Sequence, residues 1–463
     1  MESLDLNVVG GTVFTPSGPL KADIGVREGR IAVIAGPGEL PAAREELDVS
    51  QRVVLPGFID SHVHFREPGY EHKEDFTTAT QAAAAGGVTL CVGMTNIKPT
   101  PNTAERYREL IESMDRKICV DAAHWCGPPL DLNELPSILD AGAPGVKVFQ
   151  IKDTKRGYPH MPEIGISSDG HLLEIFKAVA EAGTVVLVHP HNQELMDHIE
   201  RTYFWEKGKL GPLEYAKAPR MFDYLTIDSA THDLLLMSEV TGAKLHVLHV
   251  NSKKSIKWIR EYKASGIPVT GEVNPRAVRF TWADHERLGP LALGRWTPEE
   301  EHPHIWQGLN EGTLDTIGTD HAPHTLEEKE IGWQDMWKAA GGAPEVQECL
   351  PMLLDKANSG FTTLETIARI CAENPAKLLG FYPRKGAIRI GSDADLTVCD
   401  MNLKQTVTKD MLYSKCKWSN YEGKTLQGWP VATLVRGRIV MQDGKVLGKP
   451  GDGIVLKRGY GSA

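Results

Sequence analysis

Residues 59–69 read IDSHVHFREPG, an apolar start running out through two histidines into a Pro-Gly turn. On a strand, side chains two positions apart share a face, so His62 and His64 project the same way and can grip one object. Outward from this run, from about 56 to 380, strand-like segments alternate with helical ones. TLCVGMT follows TATQAAAAGG, VKVFQI follows PSILDAG, TVVLVHP follows LLEIFKAVAEAG, LHVLHV follows DLLLMSEVTG, and LDTIGTD follows HIWQGLNEG. This alternation is the signature of a parallel α/β sheet. Roughly 320 residues suit a (β/α)8 TIM-like barrel with inserted loops, since about 250 is typical, and a doubly wound open sheet is the alternative. His62, His64, His189, His249 and Asp320 all fall at the C-terminal ends of expected strands, where a barrel assembles its site, and this decides for the barrel.

Both ends of the chain read differently. Residues 1–55 carry short β-rich runs separated by glycine turns, and ADLTVCD and PVATLVRGRIVMQDGKV repeat that texture near the other end. The expected organisation is a composite β-sandwich from 1–55 and 381–463 around a barrel spanning 56–380. The stretch 200–225 reads as a surface insertion with helical pieces.

The 463 residues carry a net charge of -10 without a compensating Lys/Arg cluster, which argues against nucleic acid and anionic membranes as partners and for a small-molecule substrate. No basic leader followed by an apolar run and no long apolar span appears, so a cytoplasmic location is expected. The 7 cysteines, at 91, 119, 126, 349, 371, 399 and 416, are scattered and form no Cys-x-x-Cys pair. A metal here must therefore be held by nitrogen and oxygen. His62, His64, His189, His249 and Asp320, with Lys147, supply imidazole nitrogens and carboxylate oxygens that zinc accepts. Lys147 lies between Val146 and Val148 in an apolar run, where an unpaired ammonium is costly; it is expected to pair with a carboxylate or reach the barrel mouth.

VLPGFIDSHVHFREPG (54–69), AAAAGGVTL (82–90), GVKVF (145–149), the His189 and His249 segments, IGTDHAPH (317–324), NPAKLLG (374–380) and GSDADL (391–396) together resemble the cyclic-amidohydrolase branch of the amidohydrolase superfamily. That branch comprises dihydroorotases, allantoinases, hydantoinases and dihydropyrimidinases. The resemblance implies two zinc ions per subunit, one held by His62 and His64, the other by His189 and His249, with a carboxylated Lys147 bridging them. Asp320 would complete the first zinc shell and act as general base and then general acid, while a hydroxide shared by the metals opens a cyclic amide, imide or ureide. It also implies a homodimer or homotetramer. His246 is the second choice to His249, because HVNS resembles the family's HVS. SSDG at 167–170 offers Asp169 as a competing bridge; a single helix between it and His189 favours Lys147.

Arg66, Asn96 and His324 resemble dihydroorotase positions that hold a substrate carboxylate, and an arginine fork suits that group. The match is incomplete: MTN stands for MPN at 94–96, HPHN for HAEN at 189–192, and GPLALGRW at 289–296 replaces NPPLR. Against hydantoinases, Lys152 stands where they carry tyrosine; against allantoinases, DHAP replaces DHSP, and Arg66 stands where they usually have asparagine. The segment 414–440 resembles hydantoinases and dihydropyrimidinases, and is expected to stay clear of the ring-binding loops. Allantoinase- and hydantoinase-type ring opening are therefore alternatives. A non-catalytic scaffold is disfavoured because every ligand position is filled, and a linear amide or imine hydrolase on the same metals is separable by its products. Trp282, Trp296, Trp306, Trp333 and Trp337 are expected to pack the core and loops; at the barrel mouth they would suit a flatter, more apolar ring.

Overall fold

The computed structural model describes residues 3–151, 164–166, 168–292 and 297–462. Its centre is a set of eight parallel strands in chain order: β1 (Phe58–Val63), β2 (Val88–Gly93), β3 (Asp121–His124), β4 (Val146–Phe149), β5 (Val185–His189), β6 (Lys244–Val247), β7 (Val269–Val273) and β8 (Thr316–Ile317). β1–β3 form one sheet and β4–β8 another. A parallel bridge between Cys126 and Val146 links β3 to β4, and His321, just beyond β8, bridges Val63 at the end of β1. β2 is buried along its whole length, as a strand covered on both faces must be.

The helices follow from local sequence. Asp75 caps Phe76–Ala85 by accepting from the Thr78 amide, and the alanines at 79 and 82–85 let the helix lie close against its neighbours. Ser168 caps Asp169–Glu181, whose Leu172, Ile175, Phe176 and Val179 form one buried stripe at i, i+3, i+4 and i+7. The insertion after β5 is helical in pieces: Gln193–Ile199, Pro212–Lys217 and Met221–Thr241. Two strands are absent from the sequence reading. β3 is DAAH, with no β-branched residue, and β7 is VTGEV, interrupted by Gly271 and Glu272. Among the described residues no helix is long and apolar enough to cross a membrane.

The chain's two ends share one seven-stranded sheet, in which Leu396–Thr406 pairs antiparallel with both Val53–Pro56 and Thr425–Val435. A four-stranded sheet of Leu4–Val9, Asp23–Arg27, Arg30–Ala35 and Ala43–Asp48 packs on it. Leu6, Val8, Ile24 and Val26 from the smaller sheet meet Val13, Val54, Leu396, Val398 and Leu434 from the larger in one apolar core.

The tryptophans divide by position. Trp306 belongs to the main core, Trp337 packs with Phe204 and Met336 in a satellite cluster, Trp282 is half-buried and Trp333 is exposed. Trp296 lies outside the described residues.

Glu348, just before helix Cys349–Asn358, is buried, and burial lifts its carboxyl from 4.5 to about 7 against a hydrogen bond from Ser419. The folded chain then binds more protons than the unfolded chain between those values, so this group's contribution to stability is greatest below pH 4.5 and falls as pH rises to about 7. Glu348→Gln mimics the protonated acid. Relative to the parent it gains about 3 kcal/mol at pH 8 and nothing near pH 4, read from denaturant midpoints at both pH values.

Candidate active site

The C-terminal end of β1 presents His62 and, one residue beyond the strand, His64; Asp320 follows β8 in a left-handed conformation, φ 52°. Asp320 Oδ1 lies 3.2 Å from His62 Nε2 and 3.0 Å from His64 Nε2. Each ring is held from behind. His62 Nδ1 is 2.7 Å from Glu272 Oε1 on β7, and His64 Nδ1 is 2.5 Å from Asn96 Oδ1, in the loop after β2. With Nδ1 occupied, each imidazole turns its Nε2 to the shared point, the arrangement by which outer partners orient metal-binding histidines. Among the described residues, His62, His64 and Asp320 form the group whose donor atoms all lie within 4.8 Å of one another.

The other expected ligands stand beside it. The His249 ring centre is 5.4 Å from that of His62 and 4.6 Å from that of His189, the last residue of β5. Lys147 on β4 is wholly buried, its Nζ 4.2 Å from the centre of the Phe149 ring. Asp169, the competing bridge, is exposed on the first turn of its helix. His246 lies deeper on β6, with Nδ1 2.7 Å from Thr270 Oγ1 and Nε2 3.9 Å from Glu272 Oε2. The nitrogen and oxygen donors, converging with preset ring orientations, fit zinc.

Charge is distributed unevenly over the two β1 histidines. Burial works against a charged His62, but Glu272 and Asp320 outweigh it and lift the ring to about 9; burial and the Arg66 charge hold His64 at about 4. Burial likewise opposes ionisation of Glu272, yet His62 and His246 bring it down to about 2. Asp320 is held well below the usual carboxylate range, because His62, both histidine hydrogen bonds and Arg276 overcome its burial.

Arg276, Glu272 and Glu345 are absent from the sequence reading; the charge of Glu272 inside VTGEV was the one local signal, and it lay in a strand the sequence pattern did not reveal. Arg276, in the turn after β7, donates from Nη2 to Asp320 Oδ2 at 3.0 Å and from Nη1 to Glu345 Oε1 at 3.1 Å. Asn420 Nδ2 donates to the same Glu345 oxygen at 2.7 Å.

Of the residues expected at the substrate, Arg66 and His324 meet, with Nη2 2.9 Å from Nε2, and Arg66 Nε donates to the Pro323 carbonyl at 3.1 Å. His324 is buried, with Nδ1 3.2 Å from Lys73 Nζ and 3.3 Å from Glu328 Oε2; burial and the Arg66 charge keep it well below the ordinary histidine value. Asn96 backs His64, as described.

One expectation is overturned. The terminal segment between strands Leu396–Thr406 and Thr425–Val435 does reach the loops at the C-terminal ends of the parallel strands. Trp418 Nε1 donates to the His324 carbonyl at 2.7 Å, the Lys415 amide donates to Glu74 Oε1 at 3.1 Å, and Asn420 engages Glu345. The excursion between two paired strands is long enough to reach those loops, which strand pairing in the terminal sheet does not reveal.

Gly318 shows how tightly this end is built: a Cβ there would lie 2.1 Å from Glu272 Oε2 and 2.9 Å from the His62 Cβ. Gly318→Ala is expected to push Glu272 off His62, cost about 1–3 kcal/mol of stability, and lower the amount of added metal retained per chain on gel filtration. Thermal unfolding and metal analysis of the same preparation check both effects.

Comparison with known proteins agrees with this geometry. The model of the Amidohydrolase family matches residues 53–440. An allantoinase of Deinococcus radiodurans is 34% identical over 456 residues, covering 97% of this chain and 98% of that protein. A dihydroorotase of Anoxybacillus flavithermus is 32% identical over 433 residues, covering 92% and 96%. The solved L-hydantoinase (dihydropyrimidinase) from Arthrobacter aurescens superposes with a TM-score of 0.93 at 31% identity, over 98% of this chain and 100% of its own. Histidines at strand ends, a carboxylate after the last strand and a family match across most of the chain lead to one assignment: this protein belongs to the amidohydrolase family.

Proposed function

We propose that the protein hydrolyses a C–N bond in a small cyclic amide, imide or ureide, using two zinc ions at the mouth of a closed (β/α)8 barrel flanked by the composite terminal domain. The observation that carries this reading is the convergence of His62 Nε2, His64 Nε2 and Asp320 Oδ1, with the His189–His249 pair alongside. His62 and His64 would hold one ion with Asp320, and His189 and His249 the other. Lys147, carboxylated on Nζ, would bridge them; carboxylation turns a wholly buried amine into an anionic oxygen donor. Zinc bound there supplies Lewis acidity toward the ring carbonyl and brings the pKa of water near neutrality. Asp320 takes the proton of the attacking water and returns it to the departing ring nitrogen.

Two substrate readings follow. A dihydroorotase-like specificity would use Arg66, Asn96 and His324 as a carboxylate clamp. A hydantoin- or allantoin-type ring is favoured by one observation: Asn96 is engaged with His64, and His324 with Arg66 and Lys73, while Trp418 packs at the same loop. The test is turnover by zinc-loaded protein prepared with bicarbonate, on dihydroorotate, hydantoin, dihydrouracil and allantoin in parallel. Opening of at least one ring is expected. Turnover of dihydroorotate alone would select the clamp, and inertness toward all four with two zinc ions bound would sink the proposal.

A further inference from the structure

We infer that Arg276 is the positioning residue of Asp320, and that Glu345 and Asn420 couple its grip to the terminal segment folded over the barrel mouth. The inference rests on the ring-opening reading above and deepens it.

The turn carrying Arg276, Pro275–Val278, is tied to the end of β8 at two places. Asn274 Nδ2 donates to the Gly318 carbonyl at 2.8 Å, and Arg276 Nη2 donates to Asp320 Oδ2 at 3.0 Å. Asp320 has its oxygens in different surroundings: Oδ1 faces both histidines and Oδ2 faces the guanidinium. Without a fixed donor on Oδ2, the carboxylate could turn about its last torsion and exchange the two. The planar guanidinium prevents this because its other arm is also anchored, on Glu345 Oε1 at 3.1 Å, and Asn420 Nδ2 donates to that same oxygen at 2.7 Å. Arg276 and Glu345 are both buried, so neither has bulk water as a competing partner. The result is a line of four side chains, Asn420–Glu345–Arg276–Asp320, whose members come from four separate stretches of the chain. Outer partners of this kind typically influence metal affinity or activity by about 10–100-fold.

The experiment uses full-length zinc-loaded protein and whichever ring the parent opens. Arg276→Met is expected to lower kcat about 10–100-fold with KM within about twofold, and to speed zinc loss to a chelator by about tenfold. Arg276→Lys, which keeps one charged donor, should recover part of both. Arg276→Met leaves Glu345 buried without its guanidinium, so a stability defect is also expected. The double variant Arg276→Met/Glu345→Leu removes that burdened carboxylate and should regain the melting temperature while keeping the loss in kcat. Recovery of kcat together with melting temperature would overturn the inference and make the pair merely structural. A rise in KM at unchanged kcat would overturn it too, making Arg276 a substrate contact. Should the parent open no ring, the function proposal falls while this one is still decided by the chelator assay: faster zinc loss from Arg276→Met and partial rescue by Arg276→Lys support it, and parental zinc retention overturns it.

Discussion

Asp320→Asn is expected to lower kcat for ring opening by about 10³-fold or more, at the upper end of what a positioned acid–base group contributes. The amide matches the carboxylate in shape but neither carries its charge nor accepts the proton of attacking water. Its electrostatic cost reaches further, because Asp320 is one of the two anions that keep His62 basic and the acceptor toward which both Nε2 atoms point. With an amide there, Arg276 also loses a charge-assisted hydrogen bond while remaining buried beside Glu345. Zinc content measured on the same sample separates the two contributions: near-normal zinc with lost turnover isolates proton transfer, and lost zinc shows the ligand role. Turnover within about tenfold of the parent would remove Asp320 from the mechanism.

The largest effect on stability is expected away from the site, at Lys385. Its Nζ is fully buried among three carboxylates: Asp395 at 2.5 Å, Asp121 at 2.7 Å and Asp393 at 3.0 Å. Asp121 opens β3, whereas Asp393 and Asp395 precede Leu396–Thr406 of the terminal sheet, so the lysine ties the parallel strands to that sheet. Arg436 on Asp121, and Arg384 and the Tyr460 hydroxyl on Asp393, complete the cluster. Lys385→Met leaves these acids crowded without their shared cation, and breaking such a buried pair typically costs about 3–5 kcal/mol. Burial disfavours the ammonium, but Asp395 and Asp393 more than compensate and raise its pKa above 10.5. The contribution is therefore fully present below that pH and is lost as the pH climbs through the raised value. Thermal unfolding at pH 7 checks the variant; a melting temperature equal to the parent's would show that the cluster contributes nothing net.

The proposed ligands were readable because their signals are local. His62 and His64 are two residues apart at a strand end, Lys147 interrupts an otherwise apolar strand, and Asp320 closes another apolar run, so period and position alone drew them to one end of the sheet. His249 is preferred in sequence on the HVNS segment; β6 stops at Val247 and His249 takes φ 45°, so it leaves strand alternation before its ring comes beside those of His62 and His189. What the sequence left dark is the set of buried charged partners supplied by distant segments. Glu272 is 210 residues from His62, Arg276 is 69 from Glu345, and Asn420 is 75 from Glu345. None has a motif, since a buried charge needs only some partner of the right kind at hydrogen-bond distance, and the chain segment that supplies it is chosen by packing. The same holds for Trp418 on the His324 carbonyl: the terminal strands were visible in their β texture, but their connection's reach to the loops after the parallel strands was not. The chain's own order thus determined which groups are candidates for the chemistry, through backbone periodicity, while tertiary contact alone decided how each is aimed, because orientation and protonation are set by neighbours distant in sequence.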